Sequence, residues 1–204
     1  MSERETAAGD LGLVQAFVNT LDVLPGTEEL RDPDTLRSWL VASGLLREGE
    51  PVDGSDLTHA IAVREAMRAV IGGNNGRQVY PVEVATLNEA ATASGLRMRF
   101  GRDGKPRLEP EATGPVGAMG RLVATLYSAM QDESWDRLKL CTDDNCRWVF
   151  FDRSKNHSSR WCSMESCGNR AKARRFRQKQ SSPLMGKSRP EAGDGAPRAQ
   201  RASG

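Results

Sequence analysis

The sequence predicts a mainly α N-terminal domain with a small β-hairpin, an α+β body, followed by a small four-cysteine module that ends in a basic helix. Three observations carry this reading. Apolar residues recur at helical spacing through most of the first 134 positions, all four cysteines fall between Cys141 and Cys167, and no Asp or Glu interrupts the run from Arg170 to Lys179. With 204 residues, 38% of them apolar, the chain is long enough for one ordinary core and a small accessory module. The expected division is a flexible N-terminus over 1–9, a helical body over 10–134, the cysteine module with its helix over 135–180 and a disordered tail over 181–204. In that tail Gly, Pro, Ser, Ala and Arg leave almost nothing to bury.

Each element has a local reason. Leu11, Val14, Phe17, Val18 and Leu21 recur at steps of three and four, which predicts an amphipathic helix over 11–21 stopped by the Pro25-Gly26 turn. Asp34 is the expected cap of a second helix through Leu36, Trp39, Leu40 and Val41, ending at Gly44. Ser55 or Asp56 opens a longer one through Leu57, Ile61, Val63, Met67, Val70 and Ile71, which stops at the Gly72-Gly73-Asn74-Asn75-Gly76 cluster. Pro81 suits the first turn of the next, which carries Val84, Leu87 and Ala91 to Gly95. The period then drops to two: Leu96, Met98 and Phe100 alternate with Arg97 and Arg99, and a turn leads to Pro106–Leu108, predicting a hairpin. Helical spacing resumes from Val116 to Met130.

The formal net charge of +2 conceals an asymmetry. Residues 1–134 hold 13 Lys and Arg against 20 Asp and Glu, a net −7, whereas residues 135–180 hold 12 against 5, a net +7. A basic module on an acidic body predicts a polyanionic partner for one end only. No apolar run approaches the length of a membrane span and the N-terminus has no apolar signal core, so a cytoplasmic protein without membrane attachment is expected.

Cys141-x4-Cys146 and Cys162-x4-Cys167, fifteen residues apart, form the constellation with chemical content. Two tight turns that each present two thiolates deliver the four soft ligands of tetrahedral Zn2+. A reducing compartment favours this over disulfides, and neither pair has the C-x-x-C spacing of a redox site. Six of the eleven aromatics lie between Trp135 and Phe176, enough for a cluster around a metal but not for a free-standing core, so zinc is expected to contribute the folding energy. Four thiolates close the coordination shell, which predicts a structural rather than a catalytic metal and leaves His157 to a loop contact.

Beyond the last cysteine, Gly168 suits a tight turn and Asn169 an N-cap. In the helix that follows, Arg170, Arg174 and Arg177 share one face, Lys172, Arg175 and Lys179 nearly the opposite one, and Ala173 with Phe176 form a narrow apolar strip expected to dock on the module. Without acids for ion pairing, the helix repels itself until an anion relieves it, so all six cations are candidate contacts to double-stranded DNA. The loop between the cysteine pairs adds Arg153, Lys155, Asn156, His157 and Arg160, donors suited to phosphate positioning.

The segment CTDDNCRWVFFDRSKNHSSRWCSMESCGNRAKARRFRQK resembles the CGNR zinc-finger module, whose tetrad stands here as Cys167, Gly168, Asn169 and Arg170. The acidic part resembles the ABATE domain through FVNTLD, LRSWLVASGLL and AVREAMRAVI. The resemblance implies a bacterial transcription regulator, stress-associated by designation, with Cys141, Cys146, Cys162 and Cys167 as zinc ligands. Family members commonly place Gly after the second cysteine, where this chain has Arg147; that turn either needs no positive φ or has gained a basic contact. The Trp-Arg-Gly expected after Asn19-Thr20-Leu21-Asp22 is also missing.

Two readings of Asn19 and Asp22 stay open: they satisfy backbone groups in the turn before Pro25, or they bind a small-molecule effector. Arg64 and Arg68, with Glu65 beside them, read as a solvated, salt-bridged helix edge. Two functions follow. One is a zinc-dependent DNA-binding regulator whose body senses an effector or forms a homodimer; the other is a zinc-module adaptor that binds an acidic protein partner in the transcription machinery. No nucleophile motif or phosphate-binding Gly loop supports an enzyme.

Overall fold

A computed structural model describes residues 6–181; residues 1–5 and the expected tail from 182 onward lie outside the described residues. The elements run in chain order as α1 (Gly9–Val18), β1 (Leu21–Asp22), β2 (Thr27–Glu28), α2 (Pro33–Ala42), α3 (Gly54–Gly73), α4 (Pro81–Ala93), β3 (Arg97–Phe100), β4 (Pro106–Glu109), α5 (Gly114–Met130), β5 (Leu138–Leu140), β6 (Val149–Phe151) and α6 (Asn169–Ser181). The strands form three antiparallel pairs, β1 with β2, β3 with β4 and β5 with β6. Helices α1, α3 and α5 pack on one another, with α4 against α3 and α5, and α2 against α3.

Two caps differ from expectation. Asp32, not Asp34, caps α2: its carboxylate accepts from Thr35 N and the Thr35 hydroxyl accepts from Asp32 N. Pro33 holds the first helical position with its preset φ, so the residue before it is the one left non-helical. In α3 the cap is Asp53, which accepts from Ser55 N and Asp56 N, while Asp56 returns the bond to Asp53 N; Ser55 and Asp56 already lie inside the first turn.

The hairpin forms where the alternation placed it, with Met98 opposite Leu108 and Phe100 opposite Pro106. Its apolar side chains on β3 stay exposed. Met98 is 64% and Phe100 69% exposed, because the hairpin packs on α5 through β4 and leaves β3 outside. Close approach at its base requires Gly120: a Cβ there would meet Ser94 Oγ at 2.4 Å.

The cysteine region is continuous with the body. Leu138, Leu140 and Val149 belong to the same buried cluster as Val14, Phe17, Met67 and Ile71. Leu140 and Val149 face each other across β5 and β6, and each sends its outward N–H and C=O to one asparagine. Asn75 accepts from Leu140 N at 3.1 Å and donates to Leu140 O at 2.9 Å. On the opposite edge, Asn19 accepts from Val149 N at 2.9 Å and donates to Val149 O at 2.7 Å. Both open edges of a two-stranded ribbon are thus closed by side-chain amides, satisfying backbone groups that burial would otherwise orphan. Asn74 adds bonds to Trp135 O and Leu138 O. The Gly-Gly-Asn-Asn-Gly cluster does end α3, and its asparagines also seat the ribbon.

An Asn19→Ala variant should lose about 1–3 kcal/mol, the penalty for orphaning the buried Val149 N–H. A urea melt read by tryptophan fluorescence measures it; a midpoint within error of wild type would mean that water replaces the amide.

Candidate metal centre

Cys141 leaves β5 directly, and its N–H donates to Trp148 O at 2.9 Å. The turn that follows is closed by Cys146 N and Arg147 N, both donating to Asp143 O. Arg147 sits at φ +50, so the turn keeps a left-handed residue although a long side chain occupies it. A basic contact accompanies it: the Arg147 guanidinium lies 3.7 Å from Glu65, and its carbonyl accepts from Arg68 at 2.8 Å. The second pair is presented differently. Thr142 N donates to Arg160 O, which brings Cys162 beside the first turn, and Ser163 caps a π-helical turn, Met164–Gly168, that delivers Cys167. Gly168 is not at positive φ, and the only close atoms a Cβ would meet, at 2.8 and 3.0 Å, belong to the end of the exposed Met164 side chain, which can move aside.

The four sulfurs all lie within 4.8 Å of one another and all four residues are buried free thiols. Cys162 Sγ is 3.6 Å from both Cys146 Sγ and Cys167 Sγ. A tetrahedron with metal–sulfur bonds of about 2.3 Å has edges of about 3.8 Å, so the donor set fits one tetrahedral ion. Hydrogen bonds from Cys146 and Cys162 hold the Cys141 thiol down to about 2, while the same contact with Cys141 pushes Cys146 up to about 12 and drives Cys162 upward as well. The cluster accepts one thiolate readily and resists the next, because like charges this close repel. A divalent cation removes that conflict.

The basic helix meets this centre through its arginines. Arg170 donates to Asp143 Oδ2 at 3.2 Å and to Cys167 Sγ at 2.9 Å, and Arg174 donates to Asp143 Oδ1 at 3.1 Å. The expected apolar docking strip is not used: Ala173 is exposed and Phe176 is 63% exposed. A site holding thiolates and a buried carboxylate is anionic, so guanidinium groups outcompete two small apolar side chains for contact with it. Nor is Asn169 an N-cap; the helical path runs in from the π-helical turn, and the Asn169 amide donates back to Glu165 O. Lys172, Arg175 and Arg177 are exposed, and neither Lys172 nor Arg175 has an ion pair among the described residues. Lys179 lies in α6, its side chain outside the described atoms.

The loop between the cysteine pairs is organised by a buried ion pair. Lys139 Nζ donates to Asp152 Oδ2 at 2.8 Å, and Asp152 also accepts from Ser154 N and Ser159 N. Burial alone would raise the Asp152 carboxyl; these donors outweigh it and hold the group well below the usual carboxylate range. Lys155, Asn156 and His157 stand exposed at the tip, with His157 at φ +48 and its carbonyl accepting from Lys139. Arg153 reaches back to Thr6 O, and the Arg160 guanidinium lies 5.8 Å from the Trp161 ring centroid. The potential metal ligands gathered among the described residues are the four cysteines, without His157.

Sequence reasoning misplaced the body's arginines. Arg64 is 2% and Arg68 0% exposed, so they form no solvated edge. Arg64 grips Glu28 with two bonds of 2.7 and 2.8 Å and also donates to Thr20. Arg68 donates to Glu65, to Val18 O and to Arg147 O, joining α1, α3 and the first cysteine turn. Full pairing is what makes burial of two cations tolerable. Asn19 and Asp22 are separated by role. Asn19 seals β6 and borders a cleft of about 280 Å3 with Gln15, Glu29, Trp39 and Trp148, whereas Asp22 lies in β1, opposite Thr27, and does not line that cleft.

A helical body continuous with a four-thiol cluster suited to a metal and ending in a basic helix defines the class of zinc-finger proteins built on an α-helical body. Residues 137–180 match the family model of the CGNR zinc finger, and residues 11–132 match that of ABATE, whose description is "Putative stress-induced transcription regulator". The chain belongs to the ABATE family and carries the CGNR zinc finger at its C-terminal end. No curated protein matches it. No helix of the described residues is long and apolar enough to cross a membrane.

Proposed function

We propose that this protein is a zinc-dependent transcription regulator that binds duplex DNA through its C-terminal module, while the helical body senses an effector or forms a homodimer. The observation that carries this reading is α6: from Arg170 to Lys179 it has six cations and no acid, it is anchored on the four-thiol centre, and Lys172 and Arg175 project without ion pairs among the described residues. Zinc held by Cys141, Cys146, Cys162 and Cys167 supplies a cross-link between the two turns; four thiolates leave no position for a substrate on the metal, so the site is structural and no catalytic role is assigned to it. Affinity comes from phosphate neutralisation with release of counterions, helped by Lys155 and Asn156 at the loop tip.

Binding of the zinc-loaded chain to a pool of random duplexes at several salt concentrations tests the proposal. Replacing Lys172 and Arg175 together by Ala should lower the slope of log affinity against log salt by up to about 1.8, near 0.9 for each phosphate left without its cation. An unchanged slope would remove Lys172 and Arg175 from the interface. The second reading, an adaptor for an acidic protein, draws on Phe176, an apolar side chain 63% exposed among cations and suited to an acidic, amphipathic segment. Absence of duplex binding by the zinc-loaded protein would favour it.

A further inference from the structure

Asp143 lies between two cysteine ligands, yet its carboxylate points at the helix. It is 1% exposed, and its two oxygens take one guanidinium each, Arg170 on Oδ2 at 3.2 Å and Arg174 on Oδ1 at 3.1 Å. Arg170 and Arg174 are one turn apart, so both leave α6 on the same side. One bond would fix only a distance; two from successive turns, with Arg170 also on Cys167 Sγ at 2.9 Å, fix the rotation of the helix about its own axis. At 100° per residue, Lys172 and Arg175 then centre about 150° round the helix from the clamped pair. The clamp and the exposed cations are two sides of one orientation.

We propose that Asp143 is the positioning residue for the basic helix, that Arg170 and Arg174 act through it rather than on a ligand, and that presentation of Lys172 and Arg175 is thereby conditional on the metal. Asp143 is carried on the turn between Cys141 and Cys146, which the metal ties to Cys162 and Cys167. When that turn is released, Arg170 and Arg174 lose their shared carboxylate and α6 is left with like charges along its length. Only the DNA arm of the test rests on the function proposed above.

The experiment is hydrogen exchange on the zinc-loaded full chain, comparing wild type with Asp143→Asn and Arg174→Ala, with zinc content measured in each. Both variants should keep one zinc and protected amides in β5 and β6, while amides in α6 exchange at least roughly tenfold faster. Unchanged exchange in α6 overturns the proposal. If Asp143→Asn releases zinc, Arg174→Ala, which changes no residue of the ligand turn, decides alone by the same criterion.

The second arm measures duplex affinity against salt. Arg174→Ala should weaken binding without changing the slope, and combining it with Asp143→Asn should add nothing further. A reduced slope, or an additive loss, would make Arg174 a phosphate contact and overturn the assignment. If wild type binds no duplex, the DNA reading fails by itself and hydrogen exchange still tests Asp143.

Discussion

Removing the metal with a chelator is expected to loosen the helical body as well as the cysteine module. Leu138, Leu140 and Val149 are side chains of the module's ribbon, yet they complete the core built by α1, α3 and α5. The ribbon's ends run directly into Cys141 and, through the Cys146–Arg147 turn, back to Val149. Structural zinc contributes about 10–16 kcal/mol in zinc-finger peptides, comparable with the about 5–15 kcal/mol that holds a whole domain folded. Loss of the ion therefore frees the ribbon and with it the partners of Asn19 and Asn75. Hydrogen exchange with and without chelator should show faster exchange in the C-terminal halves of α1 and α3 as well as in 141–181. Acceleration confined to 141–181 would show that the body closes its core without the ribbon.

Arg68→Met is expected to lower stability by about 1–3 kcal/mol for each backbone carbonyl left without its donor, since Glu65 is one-third exposed and keeps other partners. The methionine fills space but leaves Val18 O and Arg147 O without their donor, and Glu65 with a weaker set of partners. Because the Arg147 carbonyl belongs to the first cysteine turn, the same change should weaken zinc retention in a chelator competition. Arg64→Met disrupts Glu28 and Thr20 and reaches that turn only indirectly, through Glu65, so it should destabilise with a smaller loss of zinc affinity than Arg68→Met. Equal zinc retention in wild type and Arg68→Met would mean that the turn holds its shape without the body.

How much of this was legible in the sequence follows from which forces are local. Helices were readable because apolar spacing and Gly or Pro punctuation act within a few residues; Pro81 and the stop before Gly95 bound α4 as expected. The four-thiol cluster was readable because cysteine spacing is itself the signal. Polar residues with distant partners were not. Asn19 meets Val149 across 130 positions, and nothing in N-T-L-D distinguishes an amide that caps a turn from one that seals a strand. Arg64 and Arg68 carry the same ambiguity, since a helical wheel cannot tell a solvated cation from one buried against Glu28 or Glu65. The orientation of α6 had a signal that went unweighted: four thiolates around one divalent ion remain net negative, and Asp143 adds to them, so the arginine face turns inward and the small apolar strip outward.

The interlocking of ribbon and body also bears on how such chains can be recombined. A boundary drawn near residue 135 separates two recognisable sequence units, but a graft cut there would carry away a strand pair whose edges, core contacts and ligand turn are completed by Asn19, Arg68 and Asn75 upstream. The finger is not a portable cassette. A chimera should fold only if its recipient supplies two asparagines and a buried arginine at matching places, so the two units are expected to travel and diverge as a pair.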